Sequence, residues 1–312
     1  MNKDSSGAQV DLSVTLGKMK LKNPVMPASG TFGYGREFAD FVNLDDLGAV
    51  IVKGTTLRPR MGSFQHRLVG IPGGSLCSIG LQNVGVDSFI ADKLPYLRQF
   101  NVPVIVNIAG ESVEEFVRVT EILNRAEGVA GIEINISCPN VKKGGMHFGV
   151  DPDATFAVVK AVKGATDLTV ISKLTPNVTD ITEFARACEE AGADAISLIN
   201  GLVGMAIDVD SRRSRLGSNL TGGVSGPCIK AIALRMVWQV AQVVRVPVVG
   251  IGGIACAEDA LEFILAGASA VEVGTYNLVY PWVMVEIIEG IRAYLIKKGV
   301  SDLNAIKGSF ES

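Results

Sequence analysis

The chain has few cysteines, and no two of them stand in the C-x-x-C spacing of metal and redox sites. Its five cysteines among 312 residues are scattered and odd in number, which argues against a disulfide framework and a structural zinc site. The clustered cysteine ligands of an iron–sulfur centre are missing as well. Unpaired thiols of this kind are typical of a reducing compartment, so we expect a cytoplasmic protein.

The sequence also lacks a strong charge bias and a long apolar run. Its formal net charge of −3 gives no general attraction to nucleic acid or to an anionic membrane. No apolar run reaches the ~20 residues of a membrane helix, and the polar N-terminus has no apolar signal core. We therefore expect no nucleic-acid or membrane partner. The 48% hydrophobic content instead suits a buried parallel sheet.

Eight short apolar segments alternate with amphipathic segments along the chain. Most are continuous β-branched or aliphatic runs, as in strands buried on both faces. The predicted strands are residues 24–29, 49–54, 104–108, 131–136, 169–174, 195–200, 246–250 and 270–274. The helical periodicity between them predicts helices that include residues 112–127, 179–191, 230–244 and 257–266. This alternation predicts an α/β protein, a (β/α)₈ TIM barrel.

The remaining segments complete the predicted barrel. Residues 10–16 and 19–22 flank Gly17-Lys18 and predict an N-terminal β-hairpin that closes the barrel bottom. Two long connections, residues 55–83 and 201–225, follow the second and sixth strands. Both should lie on the C-terminal face, where barrel enzymes place their chemistry. No linker divides the chain, so we expect one domain over residues 1–312.

The run N-I-S-C-P-N at residues 135–140 follows the fourth predicted strand. It places Cys138 between two amide side chains, Asn135 and Asn140, directly before a glycine-rich basic stretch at residues 142–149. A thiol and two amides at a strand tip, beside a loop able to move, indicate a reaction centre with a lid. A buried cysteine in a turn is the alternative explanation of the hexapeptide by itself.

Polar or glycine residues stand at the ends of all eight predicted strands. They are Ser29, Lys53, Asn107, Asn135 with Cys138, Lys173, Asn200, Gly252-Gly253 and Gly274-Thr275. In a barrel they would converge on one mouth. Lys53 and Lys173 end strongly apolar runs, which places them inside the rim. A buried lysine needs a negative partner, and a bound anion would supply it.

The run G-I-G-G-I-A at residues 250–255 follows a strand and opens a helix. It matches a dinucleotide-binding fingerprint, with Glu272 roughly 20 residues further on. A fingerprint of that kind normally occupies the first βα unit of its domain, whereas this run is in the seventh. We therefore favour a phosphate cradle formed with Gly274-Thr275, because loops after barrel strands seven and eight commonly bind phosphate. A phosphate cradle, two lysines, several amides and a thiol suit a flavin mononucleotide (FMN) site.

The motifs in their order resemble dihydroorotate dehydrogenase from about residue 10 to residue 295. Cys138 and the V-K-K-G-G that follows are similar to the class 1B catalytic subunit. The matching segments are P-A-S-G (27–30), K-G-T-T (53–56), S-I-G-L-Q-N (78–83), N-I-S-C-P-N-V-K-K-G-G (135–145), K-L-T-P-N-V-T (173–179), T-G-G-V-S-G-P (221–227), G-I-G-G (250–253) and V-G-T (273–275). The resemblance implies flavin-dependent oxidation of dihydroorotate to orotate in pyrimidine biosynthesis.

Position by position, the resemblance also implies the site. Cys138 would take the C5 proton of dihydroorotate as hydride passes from C6 to FMN, with Lys53 beside the reacting groups. The implied cofactor residues are Ser29, Lys53, Gly54, Asn107, Asn135, Lys173, Ile199, Gly226, Gly252, Gly253, Gly274 and Thr275. The implied substrate positions are Lys53, Cys77, Ser78, Ile79, Gly80, Leu81, Asn135, Asn140, Asn200 and Gly201. No metal is implied.

Two positions depart from the family pattern. Cys77 stands where the family usually has asparagine, and Gly201 where it usually has threonine or serine. Neither can reproduce the side-chain hydrogen bond that is lost. Three hypotheses follow: a class 1B-like dihydroorotate dehydrogenase, a paralogous FMN oxidoreductase acting on another dihydropyrimidine or cyclic amide, and a flavin-binding subunit with little catalysis. Retention of Cys138 and Lys53 argues against the third.

The electrons must also leave the protein. The chain has no cysteine cluster and no convincing NAD fold, so it shows no path of its own to a pyridine nucleotide. The class 1B resemblance implies a partner subunit that carries FAD and a [2Fe–2S] cluster and passes electrons to NAD. It also implies a heterotetramer built around a homodimer of barrels.

Overall fold

The computed structural model describes residues 10–136 and 148–311. Its strands, in chain order, are β1 Val14–Leu16, β2 Met19–Leu21, β3 Val25–Pro27, β4 Val50–Thr55, β5 Leu68–Ile71, β6 Gly74–Cys77, β7 Val104–Ile108, β8 Gly131–Asn135, β9 Thr169–Leu174, β10 Ala195–Leu198, β11 Leu202–Gly204, β12 Ile207–Asp208, β13 Arg213–Ser214, β14 Gly222–Ser225, β15 Val248–Ile251 and β16 Ala270–Val273. Its α-helices are α1 Val86–Ser88, α2 Leu94–Leu97, α3 Val113–Asn124, α4 Pro152–Gly164, α5 Ile181–Glu190, α6 Lys230–Ala241, α7 Ala257–Leu265 and α8 Val283–Lys298.

Eight parallel strands form the central sheet, in the order β3-β16-β15-β10-β9-β8-β7-β4. The sheet curls until its outer strands meet, where the Gly48 N–H donates to the Val25 carbonyl at 3.0 Å. The barrel strands are almost wholly buried because the sheet packs against helices on its outside and side chains within. The predicted TIM barrel is confirmed, and each of the eight predicted strands corresponds to a barrel strand whose ends lie within two residues of the predicted limits.

Local sequence signals explain where the helices begin. The Ser112 hydroxyl accepts a hydrogen bond from the Glu115 N–H at 3.3 Å and so caps α3. Asp151 and Asp180 cap α4 and α5 in the same way. The four helices singled out from the sequence are confirmed, although each ends before its predicted limit. No helix within the described ranges is both long enough and apolar enough to span a bilayer.

The two long connections contribute strands to a second sheet. The predicted hairpin at the N-terminus is confirmed as β1 and β2, but the sequence did not predict the four-stranded antiparallel sheet β11-β14-β6-β5. We call these four strands the mouth sheet. The Thr275 hydroxyl at the end of β16 donates to the Ser225 hydroxyl of β14 at 2.8 Å. The mouth sheet is thereby fastened across the C-terminal opening of the barrel.

Candidate active site

A buried ionic cluster lies inside the barrel below the mouth. Lys173 of β9 places its Nζ 3.0 Å from Glu272 Oε2 and 3.3 Å from both carboxylate oxygens of Glu133. Both glutamates are fully buried and Lys173 is only 4% exposed. The sequence interpretation gave Lys173 a bound anion as its partner, and this is corrected: two carboxylates of the chain itself supply the negative charge.

Charges and hydrogen bonds set the protonation of this cluster. Burial raises the pKa of the Glu272 carboxyl well above its usual value, and the nearby Glu133 charge raises it further. Burial also works against ionisation of Glu133, but the Lys173 charge and several hydrogen bonds outweigh it and lower the pKa of Glu133. The two carboxylates likewise outweigh burial at Lys173 and raise the pKa of its ammonium.

Neutral side chains connect the cluster to the rim. Asn107 donates to Glu133 Oε2 at 2.5 Å, and the Ser197 hydroxyl donates to Glu133 Oε1 at 2.8 Å. Lys173 Nζ also lies 3.4 Å from the Ser29 hydroxyl, at the end of β3. Asn107 Oδ1 is buried and has no hydrogen-bond partner among the described residues. It adjoins Gly54, where an added Cβ would come within 3.0 Å of it.

Lys53 of β4 is half-buried at the rim. Burial lowers the pKa of its ammonium, and the neighbouring Arg67 charge lowers it further. Lys53 makes no ion pair within residues 10–136 and 148–311. Burial raises the pKa of the Cys77 thiol, while the Lys53 charge opposes that rise. A positively charged amine therefore faces a neutral thiol, an arrangement suited to an anionic ligand.

The 78–83 loop lies against the same edge of the barrel. Asn83 fixes it, since its side-chain oxygen accepts from the Thr56 N–H at 3.2 Å and its amide nitrogen donates to the Leu81 carbonyl at 2.7 Å. Leu81 has a φ of +55°, uncommon for a residue with a side chain. An added Cβ on Gly54 would stand 3.4 Å from the Leu81 side chain. The loop is thus held beside Gly54, near the tip of β4.

Two predicted substrate amides, Asn135 and Asn200, meet across the mouth, with Asn200 Nδ2 donating to Asn135 Oδ1 at 3.3 Å. The next residue, Gly201, lies under the mouth sheet. A Cβ there would come within 2.9 Å of the Gly223 Cα. Gly223 is also the residue that pairs with Cys77 across β14 and β6. The two departures from the family pattern therefore border the same glycine and form one wall of the mouth.

Glycines line the other side of the mouth. Gly226, Gly252 and Gly253 have φ values of +104°, +126° and +80°, a region where a side chain would be strained. An added Cβ on Gly252 would come within 3.4 Å of Ile199, and one on Gly253 within 2.8 Å of the backbone at the start of α6. Within the part of the chain described, nothing accepts a hydrogen bond from the backbone N–H groups of Gly252, Gly253 or Gly274. Close backbone approach and backbone amides without a carbonyl partner suit a phosphate. The Rossmann alternative is rejected because β15 and β16 are adjacent barrel strands and Glu272 lies in the core.

The predicted site residues in the described ranges thus gather at one end of the barrel. Cys138 and Asn140 lie outside the described residues, and their predicted roles stay predictions. Sequence reasoning missed Glu133, Ser197 and Ser225 as residues of this region. A signal for Glu133 was present, because a lone carboxylate interrupts an otherwise apolar strand and must find a partner there. No comparable signal marked the two serines.

Comparisons with known proteins agree with this geometry. Residues 11–295 match the family model of dihydroorotate dehydrogenase. The catalytic subunit of dihydroorotate dehydrogenase B (NAD(+)) from Geotalea uraniireducens is 56% identical over 96% of this chain and 98% of its own length. The same subunit from a Thermoanaerobacter species is 53% identical over 97% of this chain and 99% of its own length. The crystal structure of the Eimeria tenella enzyme DHODH in complex with ferulenol superposes with a TM-score of 0.82 at 21% identity, covering 99% of this chain and 91% of the other, and supports the fold.

Proposed function

The chain belongs to the dihydroorotate dehydrogenase family, and from that membership we propose that it oxidises dihydroorotate to orotate in pyrimidine biosynthesis, with FMN as its cofactor. The observation that supports this most is the gathering of the family's flavin and substrate positions at one barrel mouth. The whole chain, residues 1–312, would form one FMN-binding domain. The free cysteines in the described ranges suit a cytoplasmic enzyme.

The residues of the mouth fit FMN. The glycine cradle would offer backbone N–H groups to the phosphate. Lys173, which contacts Ser29, would stabilise the negative charge that the ring gains on reduction. The unpartnered Asn107 Oδ1 provides one acceptor for a ring N–H. The remaining cofactor positions are Lys53, Gly54, Asn135, Ile199, Gly226, Gly274 and Thr275. When bound, FMN supplies the acceptor for the hydride that leaves C6 of dihydroorotate.

The chain's own residues would bind the substrate and move its proton. Lys53 has no ion pair in the described ranges, so its ammonium can neutralise the carboxylate of dihydroorotate. Asn135, Asn140 and Asn200 would hold the cyclic amide, together with the backbone and small side chains of residues 77–81 and 201. Cys138 Sγ takes the proton from C5. A thiol titrates near 8.5 when unperturbed, so its surroundings must stabilise the thiolate, or the rate must rise toward alkaline pH.

The electrons would pass to a second subunit. The relatives named above are catalytic subunits, and a catalytic subunit implies a partner. We infer a partner that carries FAD and a [2Fe–2S] cluster and reduces NAD, bound to a homodimer of this chain in a heterotetramer. Co-purification of an iron-containing protein with the tagged chain from its own cells is the direct test.

An anaerobic reduction assay tests the activity. The purified yellow protein should lose its visible flavin absorbance rapidly when dihydroorotate is added. The Cys138→Ala variant should keep its colour and lose the reduction, whereas the Cys256→Ala variant, altered at an exposed cysteine, should behave as the wild type. Fast reduction of the Cys138→Ala variant would refute the assignment of the base. A protein that cannot be loaded with FMN would refute the cofactor.

The wall formed by Cys77, Gly201 and Gly223 supports a second candidate. It lacks the polar side chains that the family usually places at the first two positions, so the pocket could select a different dihydropyrimidine or cyclic amide. The same assay decides between the two functions. A yellow protein that dihydroorotate leaves oxidised, but that another dihydropyrimidine reduces, would establish the second.

A further inference from the structure

The buried cluster holds two carboxylates and one ammonium, brought together from three strands. Glu133 lies on β8, Lys173 on β9 and Glu272 on β16. If all three were ionised, the cluster would hold one uncompensated negative charge inside the barrel, which is costly in a medium of low dielectric constant. One proton bound to the pair of glutamates removes that charge.

The hydrogen bonds decide which glutamate holds the proton. Glu133 receives donors from Asn107, Ser197 and Lys173, at 2.5, 2.8 and 3.3 Å, and a carboxylate with so many donors is stabilised in its ionised form. Glu272 receives only one donor among the described residues, Lys173 at 3.0 Å on Oε2. Its carboxyl group also lies in hydrogen-bond contact with that of Glu133, a contact that needs a proton on one of the two. The environment of Glu133 thus suits the carboxylate, and that of Glu272 the acid.

We propose that Glu272 keeps its proton and shares it with Glu133, so that Glu133 alone balances Lys173 and, through Lys173, sets the reduction potential of the flavin. The raised pKa of Glu272 and the lowered pKa of Glu133 agree with this distribution. The first half concerns the chain alone, and the second half rests on the proposed function. Both glutamates are positioning residues, since they are fully buried and act through the lysine.

The position of the proton affects the redox chemistry of the flavin. In a neutral cluster the charge of Lys173 is compensated. Lys173 then stabilises the negative charge of a reduced flavin less strongly than an uncompensated ammonium would. Removal of Glu133 alone would let Glu272 ionise and replace it as the counter-charge, because the Glu133 charge is one cause of the raised pKa of Glu272. Removal of both carboxyl groups would leave the ammonium uncompensated and make reduction easier. Removal of the Glu272 carboxyl, if it is already neutral, would change no charge.

Infrared spectra of the flavin-free protein, compared between wild type and variants, test whether Glu272 keeps its proton. The wild type should show the carbonyl stretch of a buried protonated carboxyl group, and Glu272→Gln should lose it. The control Glu289→Gln, at an exposed ion pair on α8, should retain it. Absence of the band from the wild type, or its persistence in Glu272→Gln, would overturn the shared proton. This measurement requires neither flavin nor a variant of Glu133.

Flavin potentials of the loaded protein test the second half. The double variant Glu133→Gln/Glu272→Gln should raise the equilibrium constant for reduction by roughly tenfold, a shift of about 30 mV for a two-electron couple. Glu272→Gln should change it by less than about twofold. Equal shifts in the double variant and in Glu272→Gln, or no shift in a folded, yellow double variant, would overturn the electrostatic role. A protein that takes up no flavin would refute the proposed function and this second half, while the infrared result still decides the first.

Discussion

Glu272→Gln should stabilise the folded protein by an amount that grows as the pH rises. The carboxyl group keeps its proton in the folded barrel, whereas in the unfolded chain it releases that proton above its ordinary value of 4.5. Unfolding of the wild type therefore releases a proton, and a rise in pH favours unfolding. Glutamine occupies nearly the same volume, can donate to Glu133 and accept from Lys173, and has no proton to release.

The size of this effect follows from proton linkage. Between pH 4.5 and the raised pKa of folded Glu272, each pH unit should separate wild type and variant by between about 1 and 2 kcal/mol of unfolding free energy. The two proteins should be similar near the lower limit, and the difference should level off once the folded carboxyl itself ionises. Titrating groups outside the cluster are common to both proteins and cancel in the comparison.

Urea denaturation of the flavin-free proteins in steps of pH measures the difference. The exposed variant Glu289→Gln should remain within about 0.5 kcal/mol of the wild type throughout. A Glu272→Gln protein that is less stable than the wild type at neutral pH would show that Glu272 is ionised in the fold. A difference independent of pH would show that repacking, and not the proton, is responsible.

Three further outcomes follow from the mouth. The pKa of the Lys53 ammonium is lowered from 10.5, so the yellow protein should bind a carboxylate analogue of the substrate more weakly as the pH rises through a value below 10.5. A binding titration of Lys53→Met should show neither the binding nor its pH dependence. Gly201→Ala should raise KM for the substrate by about tenfold, because ~1 kcal/mol of strain displaces the mouth sheet, whereas Gly70→Ala, with open space around it, should not. Gly253→Ala should bind less flavin and should be destabilised by more than about 1 kcal/mol. The control Gly164→Ala, at an exposed helix end, should change neither property. Equal flavin content in the two variants would refute the phosphate cradle.

Much of the fold could be predicted because the signals are local. The segment Thr169–Leu174, which is rich in aliphatic and β-branched residues, is a strand in the structure with the predicted limits, and Ser112 caps its helix as its side chain suggests. The mouth sheet could not be predicted in this way. Its strands β6 and β14 lie about 150 residues apart, as the Ser75–Ser225 contact shows, and no local periodicity records such a pairing.

The candidate site was likewise predictable only in part. The residue types and their order after each strand indicated a phosphate cradle, two lysines and amides, since parallel strands of a barrel must end on one face. The partner of Lys173 was predicted wrongly, because only the closed barrel brings Glu133 and Glu272, which are 139 positions apart by their numbers, to the same ammonium. That Cys77 and Gly201 both lie beside Gly223 could likewise not be predicted from the sequence.

The sequence by itself thus determined the barrel, the mouth at its C-terminal end and the chemical groups available there, because apolar periodicity and the direction of parallel strands act over short distances. Only the tertiary structure decided which charges meet, which carboxyl group keeps a proton and which wall the two unusual residues form. These properties depend on distances of a few ångströms between strands that are remote in the chain, and burial multiplies their electrostatic effect.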